Sequence, residues 1–195
     1  MNKLGIVLIG ASLIALYSCK QKMTDNPLLV KSDNPYGAPA FDKIKNEHFK
    51  PAFEAEMAAG QAKIDSIVNN PEAPTFANTV EALEFASRGL NNVASIFFAL
   101  NSSNTDTVMQ KIALEVSPML TDFSNDILLN EKLFSRIKAV YEAKDSSKLN
   151  QEQMRLLEET YKGFTRNGAN LPAEQKAQLK QIDNELSQLG QKFDQ

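Results

Sequence analysis

The run Glu47-His48-Phe49-Lys50-Pro51-Ala52-Phe53-Glu54-Ala55-Glu56-Met57, continued to Ile64 and Val68, carries the reading of the fold. Its apolar residues Phe49, Phe53, Met57, Ile64 and Val68 recur in steps of four and seven. That period lays them along one face of an α-helix, whereas a half-buried strand would alternate every second residue. Asn69-Asn70-Pro71 stops the pattern, because proline cannot continue a helix ladder.

The same period returns downstream. A second long helix is expected to start near Thr75 to Asn78 and to present Val80, Leu83, Leu90, Val93, Phe97 and Leu100. After a turn at 101–104, a third carries Val108, Ile112, Val116, Met119, Leu120, Phe123 and Ile127, with Pro118 inside it as an expected kink. Asn130 is a suitable N-cap for a short fourth helix through Leu133, Phe134, Ile137 and Tyr141. Lys144 to Lys148 reads as a polar loop. Asn150 with Gln153 has the spacing of a capping box and opens a fifth helix through Met154, Leu157, Tyr161 and Phe164, closed by Asn167-Gly168. Pro172 suits the first position of a last helix carrying Leu179, Ile182, Leu186, Leu189 and Phe193. The expected fold is therefore all-α, over residues 47–195. Its aromatic residues, Phe97-Phe98 and the pair Tyr161/Phe164, read as core rather than as cofactor contacts.

Upstream, the character changes. Residues 19–46 hold Asn26-Pro27, Asn34-Pro35-Tyr36-Gly37 and Pro39, turn chemistry suited to a tether and lead-in. Residues 1–18 have the architecture of an export signal: Lys3, then a nearly unbroken apolar run from Leu4 to Leu16. That run is shorter than the ~20 residues that span a bilayer. It ends in Leu16-Tyr17-Ser18-Cys19, which resembles the lipobox of bacterial lipoproteins, with Tyr17 bulkier than usual. Cys19 is the one cysteine of the chain, so it has no internal disulfide partner. Acylation of Cys19 would explain it and anchor the protein to a membrane at the bacterial cell envelope, facing the periplasm. A plain secreted protein with an idle Cys19 is the alternative.

Composition excludes several functions. At 195 residues with 43% hydrophobic content the chain can bury a core. A formal charge of −3, without a basic run, argues against nucleic acid as a partner. One histidine, His48, leaves H-E-x-x-H and three-histidine zinc sites impossible within these residues. His48 reads as a partly exposed first-turn residue rather than a ligand. There is no G-x-S-x-G elbow and no phosphate-cradling glycine loop. Glu54/Glu56, Glu81/Glu84 and Glu158/Glu159 could serve paired-acid chemistry, but each sits beside an apolar stripe and reads more simply as a solvated helix face. No catalytic or metal-binding residue is expected among these 195.

Longer strings carry a resemblance. They are Asn26-Pro27-Leu28-Leu29, Ala40-Phe41-Asp42-Lys43-Ile44, Glu47 to Phe53, Asn70 to Leu83, Val93 to Phe98, and Asn130 to Ile137. In this order they resemble the N-terminal region of the thimet oligopeptidase family of zinc metallopeptidases, and within it the bacterial peptidyl-dipeptidases. The resemblance implies a two-halved helical fold around a channel that admits short peptides. It implies zinc as the cofactor of the full-length enzyme, held by an H-E-x-x-H helix and a further Glu that lie toward the C-terminus. None of those residues occurs here, so what it implies for 47–195 is a piece of the channel wall and lid. A last stripe still in phase at Phe193, with no Gly or Pro after it, fits the front part of something longer, although frayed terminal helices are common. Two other readings remain open: a non-catalytic, lipid-anchored helical binding module, and a non-functional remnant.

Overall fold

The computed structural model describes residues 25–193. The export signal 1–18 and Cys19 lie outside the described residues. Among those described there is no strand, and six helices of ten residues or more account for the architecture. They are α1 (Asn46–Val68), α2 (Arg88–Ser103), α3 (Thr107–Leu128), α4 (Glu131–Glu142), α5 (Gln151–Arg166) and α6 (Ala173–Phe193). No described helix is long and apolar enough to cross a membrane.

Helix α1 organises the rest, because its buried stripe serves two cores. Its first half places Phe49, Ala52 and Phe53 against Leu90, Val93 and Phe97 of α2 and Met109, Ala113 and Val116 of α3. Phe97 is the hub there. Its ring meets Phe49 at 5.0 Å, Phe53 at 5.5 Å and Phe98 at 5.1 Å between centroids, all edge to face. Edge-to-face packing sets the positive ring edge on the negative ring face and adds to simple burial. The second half of α1 places Ile64 and Ile67 against Leu133, Phe134 and Ile137 of α4 and Phe164 of α5. The expected aromatic core thus forms, with Tyr161 stacked between Phe134 and Tyr141.

The helix ends follow local chemistry. The Asn130 side chain accepts from Leu133 N, and Asn150 and Gln153 close a reciprocal capping box. Gly168, just past α5, has φ +89°, a left-handed turn that costs glycine little. A Cβ there would also press on Leu171 and Leu179, so space and backbone both require glycine. Helix α3 runs through Pro118 from Thr107 to Leu128.

Three expectations need correction. The second helix is not continuous from Thr75. It is a π-helical turn (Phe76–Glu81), a single α turn (Ala82–Glu84), a break at 85–87, and then α2. On α3 the buried residue is Met109, 4% exposed, and its neighbour Val108 is 50% exposed. On α6 the predicted core stripe is largely exposed: Ile182, Leu186, Leu189 and Phe193. This helix lies along α3 and meets the body through other residues.

The lead-in is docked from Asp25 onward. Leu28, Leu29 and Ile44 pack against the first core. Asn26, buried, donates from Nδ2 to the backbone oxygen of His48 (2.8 Å) and accepts from Leu28 N. A buried amide needs such partners, and they pin the segment to the first turn of α1.

Candidate functional site

His48 sits in the first turn of α1, half-buried. Its Nδ1 accepts from Lys45 N (3.1 Å), and its own backbone N–H donates to Lys45 O (2.9 Å). The imidazole therefore acts as a helix cap. Its ring satisfies an amide that would otherwise lie unpaired at the chain's entry to the helix.

The three carboxylate pairs do not form acid–base couples. Glu158 faces Lys144 (3.5 Å), while Glu159 lies between Arg155 (3.1 Å) and Lys162 (3.4 Å). Glu81 and Glu84 are exposed around the π-helical turn. Glu54 points to solvent, and half-buried Glu56 lies over Gly89 in the first turn of α2, so close that any Cβ there would overlap its carboxylate. A carboxylate at a helix N-terminus is placed where the helix dipole favours it.

Among the described residues, three groups titrate away from their usual range, each through an immediate hydrogen-bond partner. Glu115, bonded to Lys50 at 2.6 Å, raises that ammonium above the usual lysine range. The Tyr141 side chain, then Glu158, raise Lys144, whose Nζ stands 4.3 Å from the Tyr141 ring centroid. Backbone N–H of Met109, then Asn46, then Val108, hold the Asp106 carboxyl below the usual range. Asp106 is the N-cap of α3, so its shift reports capping rather than chemistry.

Two clefts flank the π-helical turn. One of about 490 Å³ is lined by Phe76, Val140, Leu149, Ser146, Lys148 and Gln153, among others. The other, of about 380 Å³, lies between Lys63, Ser66, Asn70, Asn78 and Phe85. No carboxylate, histidine or cysteine lines either cleft. Their polar groups, Lys63 and Lys148 among them, can hydrogen-bond to a guest. Among the described residues no three His, Cys, Asp or Glu side chains converge to hold a metal ion.

Sequence reading did not single out Arg136, which ties this region together. From α4 its guanidinium donates to the backbone oxygens of Asn70 (3.0 Å) and Glu72 (3.3 Å) and to Asn78 Oδ1 (3.3 Å). It clamps the loop after α1 and the π-helical turn onto α4. A lone arginine in an amphipathic helix carries no local signal of that role.

No protein-family model matches the chain. Among curated proteins it is 40% identical over 173 residues to a dipeptidyl carboxypeptidase of Salmonella typhimurium, covering 89% of this chain and 25% of that protein. The dipeptidyl carboxypeptidase of Escherichia coli is also 40% identical, over 88% of this chain and 25% of its own length. A thimet-like oligopeptidase of Dictyostelium discoideum is 31% identical over 75% of this chain and 22% of its own. The chain thus spans about a quarter of the length of the curated relatives it matches.

Proposed function

The chain belongs to the thimet oligopeptidase family, and we propose that it is the N-terminal, non-catalytic part of a zinc-dependent peptidyl-dipeptidase that hydrolyses short peptides. The observation that carries this reading is 40% identity across 89% of the chain to a dipeptidyl carboxypeptidase of which the match covers 25%. In that reading the two cores and the Arg136 clamp build part of the wall and lid of a peptide channel. The metal and the general base come from polypeptide beyond these residues. The chain's own contribution is exclusion: a rigid helical wall admits extended peptides and rejects folded ones, because a folded domain cannot enter without losing its core.

Cys19 would carry the lipid anchor, with the enzyme held at the bacterial envelope and facing the periplasm. The lipobox-like Leu16-Tyr17-Ser18-Cys19 supports this. Two or more acyl chains on one residue give stable attachment where a single chain does not.

The test is made on the native protein, detergent-extracted from its source. Its intact mass should be several-fold above the 21.6 kDa of this chain. It should release C-terminal dipeptides from N-blocked short peptides, and a chelator should stop it until zinc is restored. A native protein of 21.6 kDa without hydrolytic activity would overturn the reading and leave an anchored helical binding module.

A further inference from the structure

Helix α6 carries two stripes on opposite sides. One is polar and faces the body. Lys176, only 8% exposed, pairs with Glu131 at 3.1 Å. Lys180 pairs with Asp126 at 2.6 Å, and Asn184 donates to Asp122 at 2.7 Å. Asn184 Oδ1 and Ser187 Oγ are themselves buried. Residues 176, 180, 184 and 187 recur in steps of four and three, so they share one face.

The other stripe is apolar and faces away. Ile182 is 53% exposed, Leu186 60%, Leu189 60% and Phe193 92%. Its steps are four, three and four, the spacing of a seam between two helices packed side by side. It runs for about 16 Å at 1.5 Å per residue. Scattered exposed leucines are ordinary, but four large apolar side chains in one unbroken helical row mark a surface that another element covers. Leu179, half-buried beside Gly168, begins the row, which becomes more exposed toward Phe193.

We propose that this row is the docking seam for an amphipathic helix in the remaining polypeptide of the complete protein. The proposal rests on the reading that these residues are part of a longer peptidase. Two observations choose the occupant. About three quarters of each matched dipeptidyl carboxypeptidase lies outside the alignment, so there is ample polypeptide to supply a covering helix. A second copy meeting this row alone would engage four large side chains, against the ~20–30 residues a side of a stable interface. A covalently continuous helix needs no such area, because its effective concentration is already high. The polar stripe is meanwhile consumed by α3 and α4, which fixes the direction in which the apolar one points.

Hydroxyl-radical footprinting with mass readout tests this on two samples, the 195-residue chain and the native protein, with intact mass and sedimentation recorded on both. Leu186, Leu189 and Phe193 should oxidise readily in a monomeric 195-residue chain and several-fold more slowly in the native protein. Leu186→Asp should lower the Tm of the native protein and leave that of the 195-residue chain unchanged. Equal oxidation in a longer native protein that still cleaves peptides would overturn the seam alone and spare the peptidase reading. A native mass equal to that of the 195-residue chain would overturn both. Protection in a 195-residue chain that sediments as a dimer would assign the row to a second copy and overturn the proposal.

Discussion

Phe97 shows how one residue decides whether the first core forms. It is fully buried, and three other phenylalanines meet its ring edge to face. Phe97→Ala should cost ~3–5 kcal/mol, the range for emptying a large aromatic from a close-packed site. Urea unfolding at unchanged m-value would measure it. Asp106 supplies a pH dependence. Its carboxyl is held below its usual value by Met109 N–H, Asn46 and Val108 N–H, so the ionised form is the one the fold favours. The stability it lends is present above the unfolded carboxylate value, about 3.9, and is lost as pH falls through the lower folded value. Asp106→Asn keeps a capping oxygen and removes the titration. The variant should therefore lose less stability than the parent between pH 4 and pH 2, read from thermal melts across that range. The aromatic burial was legible from spacing. The capping role of His48 was legible only as a first-turn position, because which ring nitrogen accepts, and from what, depends on the path of residues 26–45.

At the scale of elements, caps and stripes predicted the boundaries well. Asn130 and Asn150 cap α4 and α5 where their side-chain chemistry says they should. Asn150→Ala should cost roughly 1 kcal/mol, since it removes the side-chain oxygen that accepts from Gln153 N at an exposed helix start. The interrupted second helix was not legible. Phe85-Ala86-Ser87 contains no Gly or Pro, the usual punctuation. The break is held by distant groups: Lys63 Nζ lies 3.5 Å from the oxygens of Phe85 and Ala86, and Ala86 is buried in the second core. Arg136 adds the clamp on the π-helical turn. Arg136→Lys keeps the charge but not the fork that reaches three acceptors. It should therefore destabilise by roughly 2 kcal/mol, in line with lost hydrogen bonds from a charged donor. Hydrogen exchange at residues 70–81 should rise in that variant while exchange in α2 and α3 stays slow.

At the scale of the molecule, two cores share α1, and α6 lies along one side with its apolar row outward. The described residues hold no cluster able to bind a metal, so a chelator should leave the Tm of the 195-residue chain unchanged. On the proposed peptidase reading, the native protein should instead lose peptide hydrolysis. A drop in Tm of the 195-residue chain on chelation would show that a metal site is built here after all.

The sequence by itself determined the all-helical class, most helix boundaries, the aromatic members of both cores and the family resemblance. Those features are local: a helical period, a capping side chain and a conformation-permissive glycine act over a few residues, and runs of identity need no coordinates. Only the tertiary structure decided that the second helix breaks at 85–87, that Met109 rather than Val108 is buried, and that α6 meets the body by its polar face. Each of these turns on a partner distant in the chain. The apolar period of α6 is equally strong on paper, yet α3 and α4 offer it Asp122, Asp126 and Glu131. Pairing those acids with Lys176, Lys180 and Asn184 turns the leucines outward, because a helix cannot present both faces to one neighbour.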